Sequence, residues 1–270
     1  MKNCIPIILA CLCVCLLLGC HAEVEPGVTT DPTTTHGQPT EPTEESTTLP
    51  TEPEQPTEPP TPEHSPLYIP DLSVEDVITY FNEVCLDAEY VTSGNPSVIQ
   101  KWTNPIYYQI NGEPTDEDLA VLTAFTEWLC GIEGFPGIYQ AETPAAANLQ
   151  IHFCTNPQML NILGSNFYNC DGGVTFWYNG NNQIYNEIIC YRTDIGQHLR
   201  NSVILEEIYN GLGPVQDSDL REDSIIYSGF SEPQALTEID ALLLRLLYHP
   251  DIQCGMDAQR CEAIIRQLYY

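Results

Sequence analysis

Positive charge is what this sequence has least of: 8 lysines and arginines stand against 38 aspartates and glutamates in 270 residues, a net charge of −30, and lysine occurs only at Lys2 and Lys101. A nucleic-acid groove or an anionic membrane surface needs clustered cations, so neither is an expected partner. Long apolar runs are missing too. The run over residues 5–18 has 14 residues, too short to cross a hydrocarbon core of about 30 Å as a helix. No C-x-x-C pair occurs among the seven cysteines that follow residue 20, which argues against a four-cysteine zinc knuckle. The partners left open are cations, sugars, apolar groups and other proteins.

What is present divides the chain in three. Residues 1–19 read as a signal peptide whose apolar run ends in Leu17-Leu18-Gly19-Cys20. That ending resembles the bacterial lipobox, although Leu18 replaces the usual small residue; the alternative is an ordinary signal peptide with an incidental cysteine. In the lipoprotein reading Cys20 is the lipidated mature N-terminus, and two acyl chains at about 0.8 kcal/mol per buried CH₂ give stable anchoring. The protein is then exported and tethered to the cell membrane. Residues 21–66 hold eleven prolines, twelve threonines and ten acids with no lysine, arginine or aromatic. Low hydrophobicity and charge of one sign keep such a segment from folding, and proline extends it. Residues 20–66 are therefore a lipidated cysteine followed by a Thr/Pro/Glu-rich stalk.

Residues 67–270 leave 204 residues, enough for one globular domain. Ser73 before Glu75 and Asp76 opens a helix to about residue 85. A strand is expected over 106–110, a helix from Thr115 to Gly131, and strands over 137–140, 148–154, 173–178 and 183–191, separated by Asn/Gly turns such as Asn179-Gly180-Asn181-Asn182. A long helix over about 194–209 stops at Gly211-Leu212-Gly213-Pro214, and helices over 236–248 and 257–268 close the chain. The class is α+β, with a mixed or antiparallel sheet packed on helices. Export permits disulfides, and Cys154/Cys170 and Cys254/Cys261 are the first candidate pairs; an odd count of seven leaves at least one thiol over.

The long helix carries Leu205-Glu206-Glu207-Ile208-Tyr209-Asn210-Gly211-Leu212-Gly213, which resembles the zincin metalloprotease helix, H-E-x-x-H followed by x-L-G. In that motif two histidines one turn apart bind zinc and the glutamate polarises the bound water. Here Glu206 and Asn210 stand at the histidine positions and Glu207 at the catalytic glutamate. Ser224-Ile225-Ile226 resembles the Ser-Ile-Met turn of such enzymes. A carboxylate and an amide are hard oxygen donors that suit Ca²⁺, Mg²⁺ or Mn²⁺ better than zinc, and the competing reading is that Glu206 and Asn210 brace the following loop by hydrogen bonds. Taken with Asp217-Ser218, Leu236-Thr237-Glu238-Ile239-Asp240, Leu246-Leu247-Tyr248-His249-Pro250 and Gly255-Met256, the motif resembles the bacterial family called domain of unknown function 2927. The resemblance implies a zincin-like fold and an envelope location, and no established reaction.

Two functions follow. The first is a non-catalytic, membrane-tethered domain that binds a protein, peptide or glycan in the groove where a protease would hold substrate. The second is an unorthodox hydrolase, peptidase or glycosidase, using Glu207 as general base with or without a divalent cation at Glu206 and Asn210. Glycoside hydrolysis would draw its acid and base from Glu206, Glu207, Asp217, Asp219 or Asp223.

Overall fold

A computed structural model describes residues 7–9, 65–86 and 97–270. Cys20, the expected lipidation site, and nearly all of the expected 20–66 stalk lie outside the described residues. The elements in chain order are β1 (Ile7–Leu9), α1 (Val74–Leu86), β2 (Lys101–Trp102), β3 (Ile106–Gly112), α2 (Asp116–Cys130), β4 (Ile138–Gln140), β5 (Leu149–Cys154), α3 (Asn156–Leu163), β6 (Gly172–Tyr178), β7 (Gln183–Arg192), α4 (Gln197–Gly211), α5 (Glu238–Tyr248) and α6 (Ala258–Leu268). No helix among them is long and apolar enough to cross a membrane.

Local chemistry sets the helix starts. Thr115 and Asp118 form a capping box: the Asp118 amide donates to Thr115 Oγ1 at 3.1 Å and the Thr115 amide to Asp118 Oδ2 at 2.8 Å. Thr237 and Asp240 repeat the device at α5, so two orphan amides are satisfied at each helix end. At α1 the Asp76 amide donates to Ser73 Oγ at 3.1 Å. α4 begins at Gln197 instead of near Asp194, because the carbonyls of Thr193 and Ile195 are turned back onto the Arg200 guanidinium at 3.4 and 3.2 Å.

The seven-stranded sheet runs β1-β6-β7-β5-β3-β4, with β2 beside β7. It is mixed and mostly parallel, so of the two expected arrangements, mixed or antiparallel, the antiparallel one does not hold. β3 pairs parallel with β4 and β5, and β5 and β2 pair parallel with β7, while β6 pairs antiparallel with both β7 and β1. The reason lies in the connections. α2 returns the chain from the end of β3 to the start of β4, and the α3 segment with β6 does the same between β5 and β7, so those strands run one way. Only the Asn179–Asn182 turn, where the Asn179 amide meets the Gln183 carbonyl at 2.9 Å, makes a hairpin. Gly112, at φ +88°, ends β3 so close to β5 that an added Cβ would lie 2.0 Å from the Phe153 carbonyl oxygen.

Alternate residues divide the sheet into two faces. Ile151, Phe153, Val174, Phe176, Ile189 and Tyr191 are buried in the main core, to which α4 and α5 contribute Val203, Ile204, Ile208, Leu243 and Leu247. On the opposite face a smaller cluster of Cys154, Met159, Phe167, Cys170 and Cys190 sits under α3. That helix is absent from the sequence expectation because Asn156-Pro157 reads as a turn, whereas Pro at the second helical position needs no amide partner.

Candidate functional site

α4 is buried on nearly all sides: of its fifteen residues, eleven are sealed, including Arg200, Asn201, Glu207 and Asn210. A helix so placed has no single apolar stripe, and its polar residues must find partners inside. Arg200 donates from Nε to Asp118 Oδ1 at 2.8 Å, clamping α4 to α2, and Gln197 Nε2 donates to the same oxygen at 2.6 Å. Burial pushes the Asp118 carboxyl up, but the hydrogen bonds from Arg200, the Thr115 amide and Gln197 outweigh it and hold the group below its ordinary value.

The other side of α4 rests on β6 and β7. Glu207, 2% exposed, lies against Gly172: a Cβ there would stand 2.9 Å from Glu207 Cγ and Oε1 and 2.4 Å from Val203 Cγ1. One turn on, Gly211 meets Glu187 of β7, and a Cβ at Gly211 would lie 1.7 Å from Glu187 Oε1. The two glycines let the helix settle on the strands. Gly211→Ala is expected to cost about 1–3 kcal/mol, since the overlap outweighs the helix-propensity gain of about 1 kcal/mol. Chemical denaturation measures it, and an unchanged midpoint would mean that the Glu187 carboxyl swings clear at no cost.

Glu187 is fully sealed, and burial pushes its carboxyl up to about 8, offset in part by the Trp102 indole. That indole N–H also donates to the Gly211 carbonyl at 3.2 Å. Glu187 is thus protonated at neutral pH, and its Oε1 has no hydrogen-bond partner among the described residues. Sequence reading passed over it. The available signal was an acid at an inward position of an apolar strand, in step with Ile189 and Tyr191. Beside it, Asn210 is fully buried and neither amide atom has a hydrogen-bond partner among the described residues, so the expected bracing of the loop by Asn210 is not made.

The Ser224-Ile225-Ile226 turn is fixed to α5 through Asp240. Ser224 Oγ donates to Asp240 Oδ1 at 2.5 Å, the Ile225 amide to Oδ2 at 3.2 Å, and Tyr209 of α4 to the Asp240 carbonyl at 3.0 Å. Burial raises the Asp240 carboxyl, its hydrogen bonds opposing. The C-terminal half of α4, the turn and the start of α5 therefore form one polar knot. Of the other acids singled out in the sequence, Asp223 is held low by its pair with Arg221 at 2.8 Å, Asp219 accepts from Ser228, and Glu206 and Asp217 are half-buried. Among the described residues no three His, Cys, Asp or Glu side chains converge as a metal-ligand set.

All seven cysteines of the described residues are free thiols, including the disulfide candidates Cys154, Cys170, Cys254 and Cys261. The Cys154 thiol bonds to that of Cys190 on the neighbouring strand, which lowers Cys154 and raises Cys190. Cys254 Sγ donates to the Lys101 carbonyl at 3.7 Å.

No curated protein matches the chain. The profile of the family described as protein of unknown function (DUF2927) matches residues 74–267, from the first residue of α1 to the last turn of α6 and so across the whole of the α4 site. The match covers most of the chain, and the chain belongs to this family.

Proposed function

We propose that this protein is a non-catalytic binding domain of zincin-like descent, held at the cell surface by a lipid anchor at Cys20 and carried outward by its stalk. One observation carries the reading: the carboxylate at the catalytic position, Glu207, is sealed against Gly172. A general base must come within hydrogen-bond reach of the proton it takes, and this one faces a strand. The donors at the metal positions do not fit zinc either. Asn210 is buried, Glu206 is half-buried, and among the described residues no third ligand joins them.

The site that remains is the edge of β6 that faces away from β7. In the precursor this edge takes the extended segment Ile7–Leu9 in antiparallel register, Ile7 opposite Phe176 and Leu9 opposite Val174. Removal of residues 1–19 with the signal peptide opens the edge to another strand, and the partner this reading favours is an extended peptide added to the sheet. The test uses the mature chain, residues 20–270, in detergent on an array of hexapeptides. Peptides are expected to be retained, to be lost when alternate backbone nitrogens are methylated, and to bind equally to Glu207→Gln. Retention indifferent to methylation overturns the edge reading. Peptide cleavage by wild type that Glu207→Gln abolishes, with the fold intact by circular dichroism, overturns the non-catalytic one and favours a hydrolase.

A further inference from the structure

Among the described residues, the sheet face turned away from α4 is only half covered. α3 and the turn after it close one end, where Gly173 lies under Phe167 and Leu163. The open end carries a row of side chains across the strands. Tyr139 of β4 stands beside Tyr107 of β3, their rings 6.2 Å apart and 50% and 41% exposed. Asn148, just before β5, accepts from the Tyr107 amide through Oδ1 at 2.7 Å, and its carbonyl accepts from the Glu187 amide at 2.9 Å. Next come Asn186 of β7 and, paired with it, Trp177 of β6, both half-buried. A second row behind the first holds Gln109, Gln150 and Ile188 in register.

No residue of either row is charged. Burial also lowers the titration of His152, which lies one step further along β5, and so disfavours its charged form. This neutrality is unusual in a chain of net charge −30. It removes the attraction that an ionic partner would need, and it leaves aromatic faces at both ends of a line of amides. Rings offer flat apolar contact, and amides bonded inside the protein, as Asn148 Nδ2 is to the Pro105 carbonyl at 3.0 Å, still keep a second N–H or lone pair to offer. The ligand whose surface alternates apolar C–H faces with hydroxyl or acetamido groups, and which carries no charge, is a neutral sugar polymer. Four strand intervals separate Tyr139 from Trp177, about 19 Å at about 4.8 Å each, which suits an oligosaccharide chain better than a single sugar.

We infer that the Tyr139–Tyr107–Asn148–Asn186–Trp177 row is a binding surface for an uncharged polysaccharide. The surface goes beyond the peptide edge of β6, and its failure leaves the hexapeptide result untouched. The experiment presents the full-length chain in detergent to a panel of neutral oligosaccharides, hexamers of glucose, mannose and N-acetylglucosamine among them, beside uronate-bearing and sialylated ones. At least one neutral chain is expected to bind. Tyr107→Ala, Tyr139→Ala and Trp177→Ala should each weaken it about fivefold or more, Tyr107→Phe should keep it, and Phe230→Ala, an exposed ring off the row, should not matter. Binding of none, binding of charged glycans only, or binding unchanged in the three alanine variants overturns the assignment; circular dichroism of each variant separates lost contact from lost fold.

Discussion

Glu187→Gln is expected to make the protein more stable at pH 8 while leaving it nearly unchanged at pH 4. The folded protein holds the Glu187 carboxyl in its protonated form up to about pH 8, whereas the unfolded chain releases the proton near the ordinary value of 4.5. Between those values the folded state binds one more proton than the unfolded state, so stability falls as pH rises. Below the window both states are protonated, and above it the cost is complete and constant. At about 1.4 kcal/mol per unit, the accumulated loss at pH 8 is about 4 kcal/mol. Glutamine keeps the shape and removes the titration, so the difference between wild type and variant opens across this window alone. Urea unfolding at pH 5 and pH 8 reads it directly. Parallel curves for the two proteins at all pH values would show that Glu187 is already ionised in the fold, stabilised by a partner other than the Trp102 indole.

The same residue shows how far sequence reading reached. Most element types along the chain, α3 excepted, were legible because the signals were local: Thr-x-x-Asp boxes at residues 115 and 237, an Asn-rich turn before Gln183, and Gly-Pro after α4. Strand direction was not, because whether β3 and β5 run parallel depends on which strands the crossovers bring together, and that is a property of packing. α4 was legible as a helix and as a motif, but its surroundings were not. A Glu-Glu-x-x-Asn spacing places Glu206 and Asn210 one turn apart; it does not say that Glu207 will face Gly172, 35 positions earlier in the chain, or that Gly211 will face Glu187. The exposed tyrosines of β3 and β4 passed unremarked for the same reason. Tyr107 and Tyr139 become neighbours only through parallel pairing of their strands, while the adjacent rings of Phe176 and Trp177 divide between the two faces, Phe176 into the core and Trp177 onto the open row.

Asp118→Ala should be the most damaging single change to the platform on which the proposed binding surfaces stand. Asp118 has no exposed side-chain surface and Arg200 only 7%, so the pair lies almost wholly out of water. Removing one member of such a pair leaves the other charge buried without compensation, at a cost of about 3–5 kcal/mol. Here the deletion also breaks the capping box of α2, worth about a further 1 kcal/mol, and it takes an acceptor from Gln197. Asp118→Asn keeps an acceptor oxygen for the Thr115 amide but not the charge, and should fall between wild type and alanine. Replacing both partners, Asp118→Leu with Arg200→Met, is expected to recover most of the loss, because the desolvation cost leaves with the charges. The pair also sets an acid limit. The Asp118 carboxyl is held below its ordinary value, so its contribution is present above that value and is lost as pH falls through the lowered one. A wild-type acid unfolding limb that flattens in the Leu/Met variant is the matching signature. Denaturation midpoints of the four proteins decide the matter: an alanine variant within about 1 kcal/mol of wild type would mean that Arg200 reaches water or the Thr193 and Ile195 carbonyls suffice to hold it, and that α4 is kept on the sheet by its glycines and apolar contacts alone.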